Sequence, residues 1–219
     1  GSEMCIRDRG KYYIHSLISE GEHEHQDFKF AITDAAKIAH SISAFANNDG
    51  GRLLIGVKDN GNIAGVRNEE DIYVIEQAAQ MYCHPPQDVK MTAFSVEGGA
   101  MVLRAEIMRA ERRPVFARDI DGTFRAYYRV KDENIVAPAI MVRAWQRKQA
   151  DDGCIFSLSD AETALLRYLD EWGMSTVDDY MHGAHISRET AEEIIVRLCA
   201  MDVLEFVYTG SEFKVVRAE

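Results

Sequence analysis

The chain has 219 residues, a formal net charge of −11 and 47% hydrophobic residues, the make-up of a globular protein with room for one sizeable domain and one small one. No apolar run approaches the roughly 18 residues of a membrane helix and no signal-peptide pattern opens the sequence, so a cytoplasmic protein is expected. Four widely spaced cysteines (Cys5, Cys83, Cys154, Cys199) form no CxxC pair, which argues against a zinc ribbon or disulfide scaffold and for reduced thiols.

Residues 1–10 resemble a tag-derived leader, Gly1-Ser2 followed by EMCIRDR, and are set aside. Tyr12, Tyr13, Leu17 and Ile18 suggest a short helix over Lys11 to Ser19. In GEHEHQDFKFAI, Phe28, Phe30 and Ile32 alternate with Asp27 and Lys29, a period of two that predicts a strand with a buried Phe face. Asp34 is placed to cap a helix through Asn47, whose Ala35, Ile38, Ala39, Ile42 and Ala46 form an apolar stripe. The next stretch, ISAFANNDGGRLLIGVKDNG, reads as a helix end, a tight turn at Asn47-Asn48-Asp49-Gly50-Gly51, and a strand, Arg52 to Lys58, covered on both faces. A second turn at Asp59-Asn60-Gly61 closes it. Adjacent glycines allow positive φ and close backbone approach.

A helix then begins at Asn68-Glu69-Glu70-Asp71, with acids near its positive end and Ile72, Ile75, Ala79 and Tyr82 turned inward, and stops at Pro85-Pro86. Two hairpins follow, turning at Glu97-Gly98-Gly99 and at Asp121-Gly122, the latter a type I′ signal. The order of elements predicts an α+β sandwich domain over residues 11–148. Residues 149–157 read as a linker. Over 158–219, a capping box at Ser159 and Glu162 opens a helix to Trp172, a short helix spans Thr176 to Met181, and a third starts at Ser187 with Ala191, Ile194, Ile195 and Leu198 inward. A hairpin through Gly210 completes a winged helix-turn-helix plan.

Charge is uneven along the chain. Residues 1–150 carry 20 Lys and Arg against 21 Asp and Glu, whereas 151–219 carry 5 against 15. Within the first part, Arg109 to Lys148 holds 10 basic and 5 acidic residues, interleaved with Phe116, Phe124, Tyr127 and Tyr128. That mixture suits phosphate contact and base stacking, and equally suits a half-exposed sheet face. The helix from Ser187 carries Glu189, Glu192 and Glu193 beside Arg188 and Arg197, an excess of acid that disfavours major-groove docking and favours dimerisation or protein contact.

Three segments look familiar. GEHEHQDFKF, AFANNDGGRLLIGVKDNG and RPVFARDIDGTFRAYYRV resemble the Schlafen-type AlbA-like domain of bacterial predicted transcriptional regulators and vertebrate Schlafen proteins, over about Ser19 to Pro138. The resemblance implies an AlbA-like α/β sandwich, nucleic-acid binding and a homodimer. It also implies a role for Glu22, Asp27 and Asp59, which match three carboxylates that in some Schlafen proteins form a metal-dependent RNA-cleaving site; Asp27 stands where the family usually has Glu. Such carboxylates would hold Mg²⁺ or Mn²⁺ to polarise a phosphate and activate water. The bland alternatives are a solvated Glu22, an ion-paired Asp27 and a turn-forming Asp59. The domain has been labelled ATPase-like, yet no GxxxxGK[ST] is present and ATP binding has no residue support.

The expected function is therefore a DNA- or RNA-binding transcriptional regulator using Lys29, Arg52, Arg112, Arg113, Arg118, Arg125 and Arg129 on phosphates and Tyr127 or Tyr128 for stacking. The alternatives are an Mg²⁺- or Mn²⁺-dependent endoribonuclease and a protein-interaction adaptor working through residues 158–219. His23 and His25 with Glu22 form a weaker metal-chelate pattern. Cys83-His84, as sequence neighbours, carry no nucleophile signature.

Overall fold

The computed structural model describes residues 2–30, 32–66, 70–150 and 158–219, the backbone alone for residues 2–9. Residues 151–157 of the expected linker and the helix start at 67–69 lie outside the described residues, as do the side chains of Cys5 and Cys154. The chain divides into two compact units, Gly1–Val136 and Ala137–Glu219. Among the described residues no helix is long and apolar enough to cross a membrane.

The first unit is an α+β layered structure. Helix α1 (Ser2–Glu20) starts within the stretch set aside as a leader and lies on a four-stranded sheet of order β1-β2-β5-β4, built from β1 (Gln26–Lys29), β2 (Gly51–Ile55), β4 (Val89–Ser95) and β5 (Met101–Ile107). Strands β1 and β2 run parallel with Phe28 opposite Leu54, and β5 pairs antiparallel with β2 and β4. On the α1 side Ile14, Leu17, Phe28, Leu54, Val57 and Val102 form one core. Ile14 and Leu17 are the buried anchors of α1, while Tyr12 is 73% exposed.

Helix α2 (Ala35–Asn47) lies on the opposite face of that sheet and packs more extensively against a second sheet of order β3-β6-β7-β8, made of β3 (Cys83–His84), β6 (Phe116–Arg118), β7 (Phe124–Val130) and β8 (Glu133–Val136). A helix between two sheets has no solvent face, and this one is buried nearly all round. Its small Ala and Ser side chains, buried on both sides, allow both sheets to approach. Asp34 caps it, accepting from Ala36 N at 2.9 Å. Helix α3 (Glu70–Gln77) continues into a π turn, Ala78–Tyr82, and buries Ile75, Ala78 and Ala79 against α2.

The glycines after α2 have steric reasons. Gly50 adopts φ 81°, and a Cβ there would meet Ile107 O at 2.8 Å; a Cβ on Gly51 would sit 2.3 Å from the Phe45 ring. The β6–β7 loop differs from expectation. Positive φ falls on Gly122 but not on Asp121, with Gly122 N bonded to Asp119 O and Asp119 N to Thr123 O, so the loop is wider than a two-residue type I′ turn. The Asp121 side chain holds it by accepting from Thr123 N and Oγ1.

The second unit opens with α4 (Ala139–Gln149), then α5 (Asp160–Trp172), α6 (Val177–Ala184), α7 (Arg188–Ala200) and the antiparallel hairpin β9 (Leu204–Tyr208) and β10 (Phe213–Arg217). Both capping boxes, Ser159 with Glu162 and Thr176 with Asp179, are formed. The sequence reading assigned no helix to Ala139–Gln149 and counted it with the first domain. Ile140 instead joins the core of Leu165, Leu169, Tyr180, Ile195, Leu198 and Leu204. Arg143 pairs with Glu192 and Glu193, Arg147 with Glu193, and Lys148 with Asp202.

Candidate nucleic-acid interface

The α4 pairing splits the basic stretch. Three of the ten cations between Arg109 and Lys148 belong to the second unit, where they are matched by acids of α7 and its following turn. The remaining cations stand in the first unit, around β1, α2 and the β6–β7 hairpin.

Asn47 and Asn48, read in the sequence as turn residues, hold that hairpin. Strand β6 pairs with β7 as far as Phe116 opposite Ala126 and then diverges. Beyond it, side chains of α2 and its cap take the place of a strand. Tyr127 N donates to Ser43 Oγ (3.0 Å) and Asn47 Nδ2 donates to Tyr127 O (2.8 Å). Arg129 N donates to Asn48 Oδ1 (3.0 Å), and Asn48 Nδ2 donates to Arg129 O (2.8 Å). Asn47 also spans the fork, donating to Val115 O at 2.9 Å and accepting from Val115 N at 2.7 Å. These bonds satisfy buried backbone that no strand reaches.

Arg129, expected on phosphate, is 2% exposed. It donates to Asn134 Oδ1 at 2.9 Å, Gln26 O at 3.2 Å and His23 O at 3.3 Å, lies over the Phe45 ring, and stands 3.6 Å from Asp27 Oδ1. It is thus the internal counter-ion of a buried carboxylate. Asp27 also accepts from Lys29 Nζ (2.7 Å) and Ser41 Oγ (3.3 Å). Glu22 accepts from Phe28 N at 2.9 Å. Burial raises the Glu22 carboxyl to about 7, helped by a hydrogen bond to Asp27. Burial works to raise Asp27 too, but the Glu22 proton, Lys29 and Arg129 together hold it below the ordinary carboxylate value. The two shifts run in opposite directions, so Asp27 is the member of the pair that stays charged and Glu22 the one more readily protonated.

Glu22 and Asp27 therefore meet, whereas Asp59 is exposed in the turn closed by Gly61 N to Lys58 O and makes no side-chain hydrogen bond or ion pair among the described residues. Among the described residues no group of three or more His, Cys, Asp or Glu is placed to hold a metal ion. Of the three expected carboxylates, Glu22 and Asp27 stand together, with Asp27 facing Lys29, Ser41 and Arg129, while Asp59 lies in its exposed turn. Nor do His23 and His25 chelate: His23 Nδ1 accepts from His25 N, and His25 Nδ1 bonds to Gly50 O. Burial drives the Cys83 thiol up to about 12, which leaves it un-ionised.

Other expected contacts divide. Arg52 is fixed by Gln26 Oε1 and Glu20, Arg113 donates to Asn47 O, and Tyr127 is 6% exposed, so it offers no stacking face. Tyr128 is half-buried. Arg125 is paired with Asp119 at 2.6 Å, whereas Arg112 and Arg118 are exposed and unpaired among the described residues. Sequence reasoning missed Lys37, His40 and Asp119. Lys37 is exposed and unpaired among the described residues, and His40 follows it by three residues on one helix face. With Lys29, Ser41, Tyr127 and Asn134 they line a cavity of about 390 Å³ between β1, α2 and β7. Asp119 Oδ1 lies 2.8 Å from His40 Nε2, off the line of an aligned N–H bond, and its other oxygen takes Arg125 and the Tyr127 hydroxyl.

The family model described as Schlafen, AlbA_2 matches residues 22–138. Among solved structures, the DIP2311 protein of Corynebacterium diphtheriae is 20% identical with a TM-score of 0.44, covering 89% of this chain and 34% of its own, so the chain spans about a third of that protein's length. The N-terminal domain of a putative ATP-dependent DNA helicase RecG-related protein from Nitrosomonas europaea is 20% identical with a TM-score of 0.41, covering 66% of this chain and 94% of its own. No curated protein matches the chain.

Proposed function

This chain belongs to the Schlafen AlbA_2 family, and from that membership and the cation-lined cavity we propose that its first unit binds nucleic acid through the phosphate backbone. The observation that carries the reading is Lys37, an unpaired cation at a cavity of about 390 Å³ that already holds Lys29 and His40. A cation whose charge is not spent inside the fold is free to displace counter-ions from a phosphate, and that exchange supplies most non-specific affinity. Arg118, exposed and unpaired among the described residues, lies on the hairpin whose Asp119 stands beside His40. Recognition would rest on phosphate and shape, because Tyr127 is packed away from any base. Transcriptional regulation is the biological role this reading favours.

Within the second unit, the three helices α5, α6 and α7 with their hairpin suit a winged-helix role in protein contact or homodimerisation. Tyr168 and Trp172, one turn apart on α5, are 36% and 65% exposed with ring centroids 6.3 Å apart, a surface more apt for a protein partner than for phosphate. The nucleic-acid reading is tested by titrating the full chain into labelled single-stranded RNA, single-stranded DNA and duplex DNA at rising salt. Binding that weakens as salt rises supports it; no binding to any of the three rejects it.

A further inference from the structure

Resting on that nucleic-acid reading, we infer that the outer face of the β3-β6-β7-β8 sheet, turned away from α2, is a stacking platform for a single-stranded polynucleotide. Phe124 and His84 take bases there and Arg118 takes a phosphate. The cavity beside α2 lies on the other face of the sheet, so the platform is a second surface.

The strand registers divide the side chains between the two faces. Cys83 stands opposite Ala117, His84 opposite Phe116, and Arg118 opposite Phe124. Opposed residues share a face and successive ones alternate. Cys83, Ala117 and Tyr127 belong to the core under α2, with the Cys83 thiol 3.9 Å from Ala39 O. His84, Phe116, Arg118 and Phe124 therefore share the outward face. Phe124 is 53% exposed there, and its ring meets the exposed His84 ring edge to face, with centroids 6.4 Å apart and planes at 72°. Rings set on paired strands and against each other have little freedom left to lose when a base stacks on them.

Charge selects the occupant. The two acids of the hairpin are spent locally: Asp119 pairs with Arg125 at 2.6 Å, and Asp121 accepts from Thr123 N and Oγ1 and stands 3.7 Å from Arg125. Glu133, an acid that the register places on the outer face, stands opposite Val130 at the far end of β7. Beside Phe124 that leaves the cation of Arg118, exposed and unpaired among the described residues. An aromatic ring next to a free guanidinium fits a base next to its phosphate. In a duplex each base face is covered by its neighbours, so rings on a sheet reach one only in a single strand. Every base has a π-face, so the platform adds affinity without choosing a sequence, in keeping with recognition through phosphate and shape.

The test titrates the full chain, by anisotropy, into a labelled oligothymidylate of about twelve nucleotides, an abasic strand with the same phosphates, and a duplex of that length. Loss of the bases, or Phe124→Ala, should each weaken single-strand binding by about tenfold, with the salt dependence of Phe124→Ala unchanged. Arg118→Ala should instead lower the slope of log affinity against log salt by about one. Phe124→Trp should keep wild-type affinity and add fluorescence that the oligothymidylate quenches and the abasic strand does not, which guards against a folding defect in the alanine variant. Equal affinity for the abasic strand, or no loss in Phe124→Ala, overturns the inference alone. So does duplex binding that is tighter than single-strand binding and lost in Phe124→Ala. Self-association abolished by Phe124→Ala overturns it too, giving the face to a second copy of the chain. Failure of all three probes to bind overturns the inference together with the reading beneath it.

Discussion

Asn47 is fully buried, and its amide spans the fork between β6 and β7. Asn47→Ala leaves Val115 N–H and Tyr127 C=O without their partners, whereas Val115 O keeps Ser43 Oγ at 2.7 Å. Two buried backbone groups at ~1–3 kcal/mol each, with a small void added, give a loss of about 4 kcal/mol. That is a large part of the ~5–15 kcal/mol that holds a domain together. In urea, with a slope of ~1.5 kcal/mol per molar, the midpoint of the first unit should fall by about 2–3 M. Both tryptophans, Trp145 and Trp172, lie in the second unit, so their fluorescence reports that unit. Far-UV circular dichroism or hydrogen exchange at β6 and β7 reports the first. The expected outcome is an early transition in the first unit with the tryptophan transition much less moved. A loss below about 1 kcal/mol would refute the claim that Asn47 stands in for a strand.

Three further outcomes follow from the same structure. Gly51→Ala places a Cβ 2.3 Å from the buried Phe45 ring and should cost ~1–3 kcal/mol in chemical denaturation, whereas Gly98→Ala, with nothing within 4 Å, should show only the smaller penalty of its φ of 66°. Arg129→Met strips Asp27 of its buried counter-ion and should cost ~3–5 kcal/mol; a neutral result would mean that Asp27 does not depend on it. Glu22, raised from 4.5 to about 7 in the folded chain, holds a proton there that the unfolded chain has lost. Stability should therefore fall as pH rises from about 4.5 to 7, and Glu22→Gln should flatten that slope. Urea midpoints at pH 5 and pH 8 that differ as much in the variant as in the wild type would contradict the assignment.

Local chemistry was legible in the sequence wherever one residue decides the outcome. Asp34, Ser159, Thr176 and Ser187 cap the helices they were expected to cap or open, and the stretch from Ala35 to Ile55 forms the expected helix, glycine corner and covered strand. What the sequence did not disclose depends on layers. The alternation of Phe28 with Asp27 and Lys29 separates two faces within β1, but the strand ends at Lys29, Phe30 is exposed and Ile32 joins the core on the α2 side. The Asp27 face is covered by α2 rather than by water. Arg129 and Tyr127 look in sequence like the rest of a basic and aromatic hairpin. They are interior because β7 lies against a helix sandwiched between two sheets. Helix α4 was missed because its Arg143, Arg147 and Lys148 read as part of a basic tract until Glu192, Glu193 and Asp202 stood opposite. Lys37 and His40 sit at helical spacing on α2, a signal present in the sequence but masked by the apolar stripe around it.

The central claim, that the α2 cavity takes the phosphate backbone, is tested most directly by measuring RNA affinity against salt for the wild type, Lys37→Glu and Lys90→Glu. Lys37 lines the cavity, and Lys90 is an exposed lysine on β4 in the other sheet. Lys37→Glu should weaken binding by about tenfold at 0.1 M salt and reduce the slope of log affinity against log salt by about one, with Lys90→Glu close to the wild type. Equal losses from both variants, or no loss from Lys37→Glu, would contradict the account.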